Sequence, residues 1–354
     1  MLLDLSCLSY PLPPDVRRLY EAGDFGRMEL VIRRRLDDPC VPEALKARLR
    51  VQLEMAYEIP RAYPYTQAQM LDILQKNVSG FAEEELETLR DDGTLDWRYV
   101  NGEVRFKNNA LSALLKTRKE YAMRATDPAV MSGAKASTEQ LSAMIAKMKA
   151  NGGVRARFEL HEELTVRSDR LTEGETLRIH LPMPIVGAQV KRAELLSASH
   201  PVAFLAPEDE PQRTIYFELP YEPGMTVSAE IAYEIDAPYA QPHAREVYAE
   251  QPVFDTEELP PHVVFTPYLR ALAKEIVGDE TNALLKARKI YDFITTQAVY
   301  RFMPPYLTVP NIPEYFLSGL RGDCGVQAIT FVTLCRLCGV PAQWQSGLYT
   351  KPNS

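Results

Sequence analysis

The 354-residue sequence lacks an excess of basic residues, a long hydrophobic run and a basic N-terminal leader. Forty Lys and Arg residues face 48 Asp and Glu residues, for a formal net charge of −8 at pH 7, so we expect no general attraction to nucleic acid or anionic lipid. No apolar stretch approaches the roughly 20 residues that span a bilayer. The sequence therefore predicts a cytoplasmic protein that binds neither nucleic acid nor a membrane.

Cysteine is also scarce, and the five cysteines are scattered and odd in number, which argues against a disulfide framework. Cys335 and Cys338 form a CxxC pair, but they fall in the last turns of a predicted helix, whereas redox CxxC motifs open a helix. Steps of three and four residues place both on one stripe with Cys324, Ala328 and Phe331, which predicts that they are small core residues. We expect no metal and no cofactor.

Hydrophobic periodicity predicts a multidomain α+β protein. Residues 1–125 carry apolar side chains at three- and four-residue steps, which is typical of amphipathic helices. Asn101-Gly102, between alternating residues, predicts a hairpin turn within this helical domain. Residues 126–153 are predicted to be a linker that contains a short helix from Thr138 to Lys149.

The helices and hairpin of residues 1–125 resemble a winged-helix module. Acidic residues surround its would-be recognition helix, namely Glu83, Glu84, Glu85, Glu87, Asp91 and Asp92. Because these carboxylates would repel phosphate groups, a structural or protein-contact role is favoured over DNA binding.

Residues 154–240 change to a period of two, which predicts an antiparallel sheet with one buried face. Val154–His161 is the clearest alternating segment. Several such segments with turns between them predict a β-sandwich of immunoglobulin-like architecture. Nothing in this domain carries chemistry, so we interpret it as a scaffold or a wall that presents substrate.

Two predicted helices follow a Pro-rich connection at residues 238–261. Thr266 predicts the cap of the first helix, with Pro267 at its first position and Gly278 after its end. The second helix is predicted from Asn282 to Thr296. A Pro-rich loop then extends from residue 303 to residue 313.

The most informative segment, residues 322–347, places one cysteine at the start of a predicted helix. Gly322 and Asp323 predict a turn and an N-cap before Cys324, an apolar run follows, and Gly339 predicts the end of the helix. A thiol in the first turn meets free backbone N–H groups and the positive end of the helix dipole, which stabilise a thiolate. The N–H of Cys324 can also face a developing oxyanion.

This segment resembles the core of the transglutaminase-like superfamily of papain-type thiol enzymes, especially its bacterial members. The matching residues are Gly322, Cys324, Phe331, Leu334, Cys335, Arg336, Gly339, Val340, Pro341, Ala342 and Gly347. The resemblance implies a papain-like core at residues 262–354, of which this sequence holds the N-terminal half. It also implies that Cys324 forms a thioester with a glutamine side-chain amide or a peptide carbonyl of a protein substrate. Hydrolysis of the thioester is the first expectation, and transfer to an amine is the second.

The family pattern further implies a His base and an orienting Asp on strands after the cysteine helix. Neither is assigned within this chain, because no histidine follows Cys324 and only one strand, Trp344–Tyr349, is predicted there. The upstream histidines are His161, His180, His200, His243 and His262. His262, the nearest, is interpreted as an ordinary surface or capping residue. We therefore expect a continuation of the polypeptide or a partner chain to cover the Cys324 helix.

Four further residues are candidates for the oxyanion hole or the cleft. Tyr300 or Gln297 is a candidate second oxyanion donor, although the sequence favours a packed aromatic role for Tyr300. Gln327, one turn after Cys324, and Trp344 are candidate cleft residues. The alternative function is non-enzymatic, with the chain serving as an interaction or scaffold protein through its helical and sandwich domains.

Overall fold

A computed structural model describes residues 5–167, 171–248 and 250–347. The chain divides into two compact units. The first comprises Met1–Lys135 and His243–Trp344, and the second comprises Ala136–Pro242 and Gln345–Ser354. Over the described ranges, every helix is too short or too polar to cross a bilayer.

The N-terminal part of the first unit is helical, as its periodicity predicts. After a 3-10 turn at Leu5–Ser9, its helices are α1 (Pro14–Glu21), α2 (Phe25–Asp37), α3 (Glu43–Ala62), α4 (Gln67–Asn77), α5 (Glu83–Asp91), α6 (Ala110–Thr117) and α7 (Lys119–Ala122). Gly23, at φ 70°, separates α1 from α2. A Cβ there would lie 2.0 Å from the carbonyl oxygen of Tyr99, so only glycine allows this close approach.

The predicted hairpin forms between β2 (Trp97–Val100) and β3 (Glu103–Phe106). Asn101 and Gly102 join the two strands with φ values of 50° and 88°, the left-handed conformation that a tight hairpin turn requires. The two-residue strand β1 (Tyr65–Thr66) pairs with β3 on its other edge. The winged-helix interpretation of this arrangement stays a prediction.

Helix α8 (Ala129–Asn151) is 23 residues long, so the helix extends well beyond the expected Thr138–Lys149. No proline interrupts the segment, and the helix ends only at Gly152-Gly153, where both glycines have positive φ. The following strands are β4 (Gly153–Thr165), β5 (Thr176–Pro182), β6 (Val190–Ala198), β7 (Phe204–Leu205), β8 (Thr214–Pro220) and β9 (Thr226–Pro238).

These strands form two three-stranded antiparallel sheets in the second unit, with the orders β4-β9-β6 and β5-β8-β7. Ile179 and Phe217 of one sheet share a hydrophobic cluster with Val227 and Ile231 of the other. The alternation of residues in the sequence therefore does produce sheets with one buried face. The immunoglobulin-like architecture stays a prediction.

The C-terminal part of the first unit contains α9 (Pro267–Val277), α10 (Ala283–Gln297), β10 (Val299–Tyr300), α11 (Ile312–Gly319), β11 (Arg321–Gly322) and α12 (Cys324–Leu337). The sequence predicts α9, α10 and α12, but we expected a loop rather than α11 as far as residue 313. Asn311 caps α11 through the N–H of Glu314, and Pro313 lies in its first turn, so a local signal was present. Leu269, Ile290, Phe316 and Leu334 are fully buried in the shared core of these helices.

The strand expected from Trp344 to Tyr349 does not form in its described part. Residues 341–347 have no regular secondary structure, and residues 348 and 349 lie outside the described residues. A strand needs a hydrogen-bonded neighbour, and none of the described strands pairs with this segment. Instead, the buried guanidinium of Arg336 donates to the carbonyl oxygen of Ala342 and pairs with Asp255.

The Arg336→Leu substitution tests this contact. Arg336 also donates to the carbonyl oxygen of Glu257, so its loss leaves two backbone acceptors and one carboxylate without their partner. We expect the free energy of unfolding to fall by about 2–4 kcal/mol in urea denaturation. The matched control, Arg288→Leu, removes an exposed pair with Asp292 and should change it by less than about 1 kcal/mol. Equal losses in both variants would contradict the role of Arg336.

Candidate active site

Cys324 is the first residue of α12 and is exposed, so the thiol does lie in the first turn, as the sequence predicts. The side chain of Asp323 caps the helix, because its Oδ1 accepts the N–H of Val326 at 3.1 Å. Gly322 packs too closely for a side chain, since a Cβ there would lie 2.8 Å from Val326 and 2.9 Å from Phe316. The turn before the thiol is therefore fixed by a cap and by close packing.

The carbonyl oxygen of Gly322 ties the turn to neighbouring residues. It accepts the N–H of Arg301 at 3.1 Å and the side-chain amide of Gln327 at 3.1 Å. The first of these bonds belongs to the parallel pair β10–β11, in which Tyr300 lies opposite Gly322. The structure thus brings two of the predicted site residues, Tyr300 and Gln327, to the backbone beside Cys324.

The ring of Tyr300 is packed rather than free. The ammonium of Lys116 lies 3.9 Å from the centre of this ring, and the ring of Phe302 meets it edge to face at 5.4 Å. These contacts support the packed aromatic role that the sequence favours. Because these contacts involve only the ring, the hydroxyl of Tyr300 stays a candidate hydrogen-bond donor to the oxyanion.

Tyr306 belongs to the site although the sequence analysis did not select it. Its hydroxyl donates to Oδ1 of Asp323 at 2.6 Å, and a Cβ on Gly325 would lie 2.3 Å from the same hydroxyl oxygen. Burial raises the pKa of Tyr306, and the hydrogen bond to Asp323 and the negative charges of Asp323 and Cys324 raise it further. The hydroxyl therefore stays protonated beside the thiol.

Lys107 is the second residue that the sequence analysis missed. It follows β3, it is only 3% exposed, and its ammonium donates to the carbonyl oxygen of Met303. Burial lowers the pKa of Lys107 to about 8, while the carboxylate of Asp323 opposes this shift. The charge of Asp323, next to Cys324, therefore acts on a buried cation. No local pattern marks either Lys107 or Tyr306, because Lys107 contacts Met303 and Tyr306 contacts Asp323 only through tertiary packing.

The other two candidates lie at the end of α10 and after α12. Gln297 is the exposed last residue of α10, and its amide donates to Thr296 at 3.4 Å. Trp344 lies two residues beyond Ala342, whose carbonyl oxygen accepts the guanidinium of Arg336. The role of these two residues at the oxyanion hole or the cleft stays a prediction.

No histidine hydrogen-bonds to Cys324 in the part of the chain that the structure describes. In the second unit, His161 and His180 are exposed and His200 is half-buried, and they contact Glu163, Thr214 and Ser199 respectively. His243 is exposed and His262 is half-buried. Burial lowers the pKa of His262, and its Nδ1 has no hydrogen-bond partner among the described residues.

The remaining helix cysteines have the buried character that the sequence predicts. Cys335 is 1% exposed, and burial raises its pKa to about 12. Cys338 is half-buried, and burial raises its pKa as well. Over the described ranges, no cluster of His, Cys, Asp or Glu side chains has the composition of a metal site.

The site has the parts needed for nucleophilic attack by a thiol. Cys324 is exposed, and its backbone N–H donates to no acceptor among the described residues. Free N–H groups at a helix N-terminus stabilise negative charge on a thiolate or on an oxyanion. The arrangement can therefore hold an acyl group on sulfur.

Comparison with known proteins identifies a family match for the segment that contains Cys324. Residues 270–354 match the transglutaminase-like superfamily, which confirms the resemblance inferred from the Cys324 segment. A solved structure from Cytophaga hutchinsonii, named a putative cysteine protease, is 17% identical and covers 53% of this chain and 67% of its own, with a TM-score of 0.38. A similarity that low carries nothing over to this chain. No curated protein matches the chain.

The reactivity of the thiols tests the assignment of Cys324. We expect iodoacetamide near neutral pH to label Cys324 faster than Cys335 and Cys338, because burial keeps the latter two protonated. Peptide mapping by mass spectrometry measures the rates. Cys40, also exposed but outside a helix start, is the internal control and should react more slowly than Cys324. Labelling of Cys324 no faster than that of Cys335 would remove the assignment.

The buried ammonium of Lys107 predicts a pH dependence of stability. Its pKa is about 8 in the folded protein against 10.5 for a free lysine, so the unfolded state binds the proton more tightly. Protonation therefore destabilises the fold below about pH 8, and this cost disappears as the pH rises from 8 to 10.5. Relative to Lys107→Met, the wild-type protein should gain up to about 3 kcal/mol over this range in urea denaturation. A constant difference between the two proteins would contradict the shift.

Proposed function

We propose that this protein, whose residues 270–354 carry a transglutaminase-like core, is a thiol enzyme that forms a thioester at Cys324. The observation that carries the proposal is the exposed thiol of Cys324 at the N-terminus of α12, next to a backbone N–H without an intramolecular acceptor. The substrate is a glutamine side-chain amide or a peptide bond of a protein. Hydrolysis is the favoured outcome, and transfer to an amine is the second.

In the proposed reaction, the sulfur of Cys324 attacks the carbonyl carbon and its thiol proton passes to a base. The carbon–nitrogen bond then breaks, and the base returns the proton to the departing ammonia or amine. Water attacks the thioester, which releases the carboxylic acid and restores the thiol. The backbone N–H of Cys324 donates to the oxyanion of each tetrahedral intermediate.

Tyr306, Asp323 and Lys107 support this reaction as positioning residues. Asp323 fixes the start of α12 through the N–H of Val326, and Tyr306 holds the carboxylate from the other side. Lys107 places a buried positive charge near the same carboxylate. Without this compensation, the charge of Asp323 would disfavour a thiolate on the next residue.

We propose that the base is a histidine, as the family resemblance implies. Because no histidine hydrogen-bonds to Cys324 among the described residues, the proposal holds that a partner chain which covers the start of α12 supplies it. A general base contributes about 10²–10⁴ in rate, so activity should rise when such a partner is bound. The proposal also holds that the protein is cytoplasmic and needs no cofactor.

The activity test uses glutamine-containing peptides and measures ammonia release and peptide cleavage, with hydroxylamine as a trap for the acyl group. We expect Cys324→Ala to abolish product formation and hydroxamate formation, because the acyl acceptor is lost. Cys40→Ala, which removes an exposed cysteine away from the site, should retain the wild-type rate. A wild-type protein no more active than Cys324→Ala would favour the scaffold function.

A second pair of variants in this assay tests the position of Tyr306. Gly325→Ala should lower the rate at least about tenfold, because its Cβ would displace the hydroxyl of Tyr306 from Asp323. Gly319→Ala is the matched control, since a Cβ at Gly319 meets no atom within 4 Å. If both variants keep the wild-type rate, Tyr306 has no positioning role.

A further inference from the structure

A cavity of about 330 Å³ lies beside the Cys324 turn, within the first unit. Its walls are mainly aromatic and charged, and they include Tyr63, Asp96, Arg98, Arg301, Thr308 and Tyr315. A volume of this size accommodates a small part of a peptide, such as one or two side chains. The cavity therefore has the size of a substrate subsite.

Both oxygens of the Asp96 carboxylate have partners within the wall. It is 6% exposed, its Oδ2 accepts the hydroxyl of Tyr63 at 2.9 Å, and its Oδ1 pairs with the guanidinium of Arg301. The wall of the cavity therefore contains one negative charge, that of Asp96, and two positive charges, those of Arg301 and Arg98. Its net charge is +1.

Arg98 carries that excess charge. Its half-buried guanidinium lies over the rings of Tyr20 and Phe25, at 5.3 and 5.4 Å from their centres, and it pairs with no carboxylate among the described residues. Stacking on two rings holds the guanidinium in place while its N–H groups remain available.

We propose that this cavity binds a carboxylate of the peptide substrate through Arg98. A carboxylate is planar, carries one negative charge and accepts two parallel hydrogen bonds from a guanidinium, so it neutralises the excess charge of the wall. The aromatic walls pack against the apolar part of the same residue. The source of the carboxylate is either an acidic side chain or the C-terminus of the peptide.

Backbone contacts connect the wall of the cavity to the turn that carries Cys324. The N–H of Arg301 donates to the carbonyl oxygen of Gly322, two residues before Cys324. Thr308, in the cavity wall, and Tyr306, beside the thiol, belong to one 3-10 turn at Tyr306–Thr308. A peptide bound at Cys324 can therefore reach the cavity with a neighbouring residue. The inference rests on the proposed function, because it assumes a peptide substrate.

The experiment measures binding in the Cys324→Ala protein by calorimetry, so that it does not depend on turnover. Three N-acetylated hexapeptides containing glutamine are compared. The first has a free C-terminal carboxylate and no acidic residue, the second has an amidated C-terminus and one glutamate, and the third is the amide with glutamine in place of that glutamate. We expect one of the first two to bind at least about tenfold more tightly than the third. The peptide that does so identifies the source of the carboxylate.

A second substitution locates the binding. Arg98→Gln in the Cys324→Ala protein should remove the preference for the carboxylate, and Arg98→Lys, which keeps the charge but not the planar fork, should retain part of it. Arg61→Gln is the matched control, since Arg61 also lies over a tyrosine ring, that of Tyr57, but outside the cavity. Thermal melting of each variant verifies that it is folded.

The proposal is overturned if all three peptides bind equally, or if Arg61→Gln loses the preference as much as Arg98→Gln. These outcomes differ from failure of the enzyme assignment. A protein that binds the carboxylate peptide through Arg98, but whose wild-type form never acylates Cys324, keeps the subsite and loses the proposed reaction. A protein that hydrolyses all three peptides at one rate keeps the reaction and loses the subsite.

Discussion

The capping interaction of Asp323 is the contact on which the candidate site depends. One carboxylate oxygen accepts both the N–H of Val326, which starts α12, and the hydroxyl of Tyr306. A charged cap at a helix N-terminus is favourable, but this one lies next to a thiol that must itself become an anion. In the proposed function, the buried ammonium of Lys107, which the charge of Asp323 influences, offsets part of this negative charge.

Residues of the N-terminal helical region contact the segments next to the candidate site. Lys107 follows the hairpin, and its ammonium reaches the carbonyl oxygen of Met303, almost two hundred residues later in the chain. The hydroxyl of Tyr20 donates to Thr308, and Arg321 donates to the carbonyl oxygen of Asp92. These contacts fix the loop before α11, which carries Tyr306 and a wall of the cavity. A structural role for the region, rather than DNA binding, stays a prediction from the acidic residues of α5.

The three cysteines at and after the start of α12 differ in burial, and therefore in the pKa of their thiols. Cys324 is exposed at the end where backbone N–H groups are free, whereas Cys335 and Cys338 lie where burial raises the pKa of each thiol. Cys324 is therefore the thiol that we expect to react, although all three cysteines lie on one stripe of the sequence. The difference arises from the direction of the helix and from the core that covers its second half.

The sequence alone determined the features that depend on neighbouring residues. Asp323 and Gly339 marked the start and the end of the cysteine helix, and Thr266 and Asn282 marked the starts of two earlier helices. Asn101-Gly102 marked the hairpin turn. Caps and turns are formed by residues only a few positions apart, so the sequence shows them directly. Only the tertiary structure decided that Tyr306 contacts Asp323, that Lys107 is buried against Met303 and that Arg98 lines a cavity together with Arg301. It also decided that residues 344–347 form no strand, since a strand depends on a partner rather than on its own alternation. Contacts between residues that lie about two hundred positions apart in the chain depend on how the core packs. Core packing between distant segments leaves no periodic pattern in the sequence.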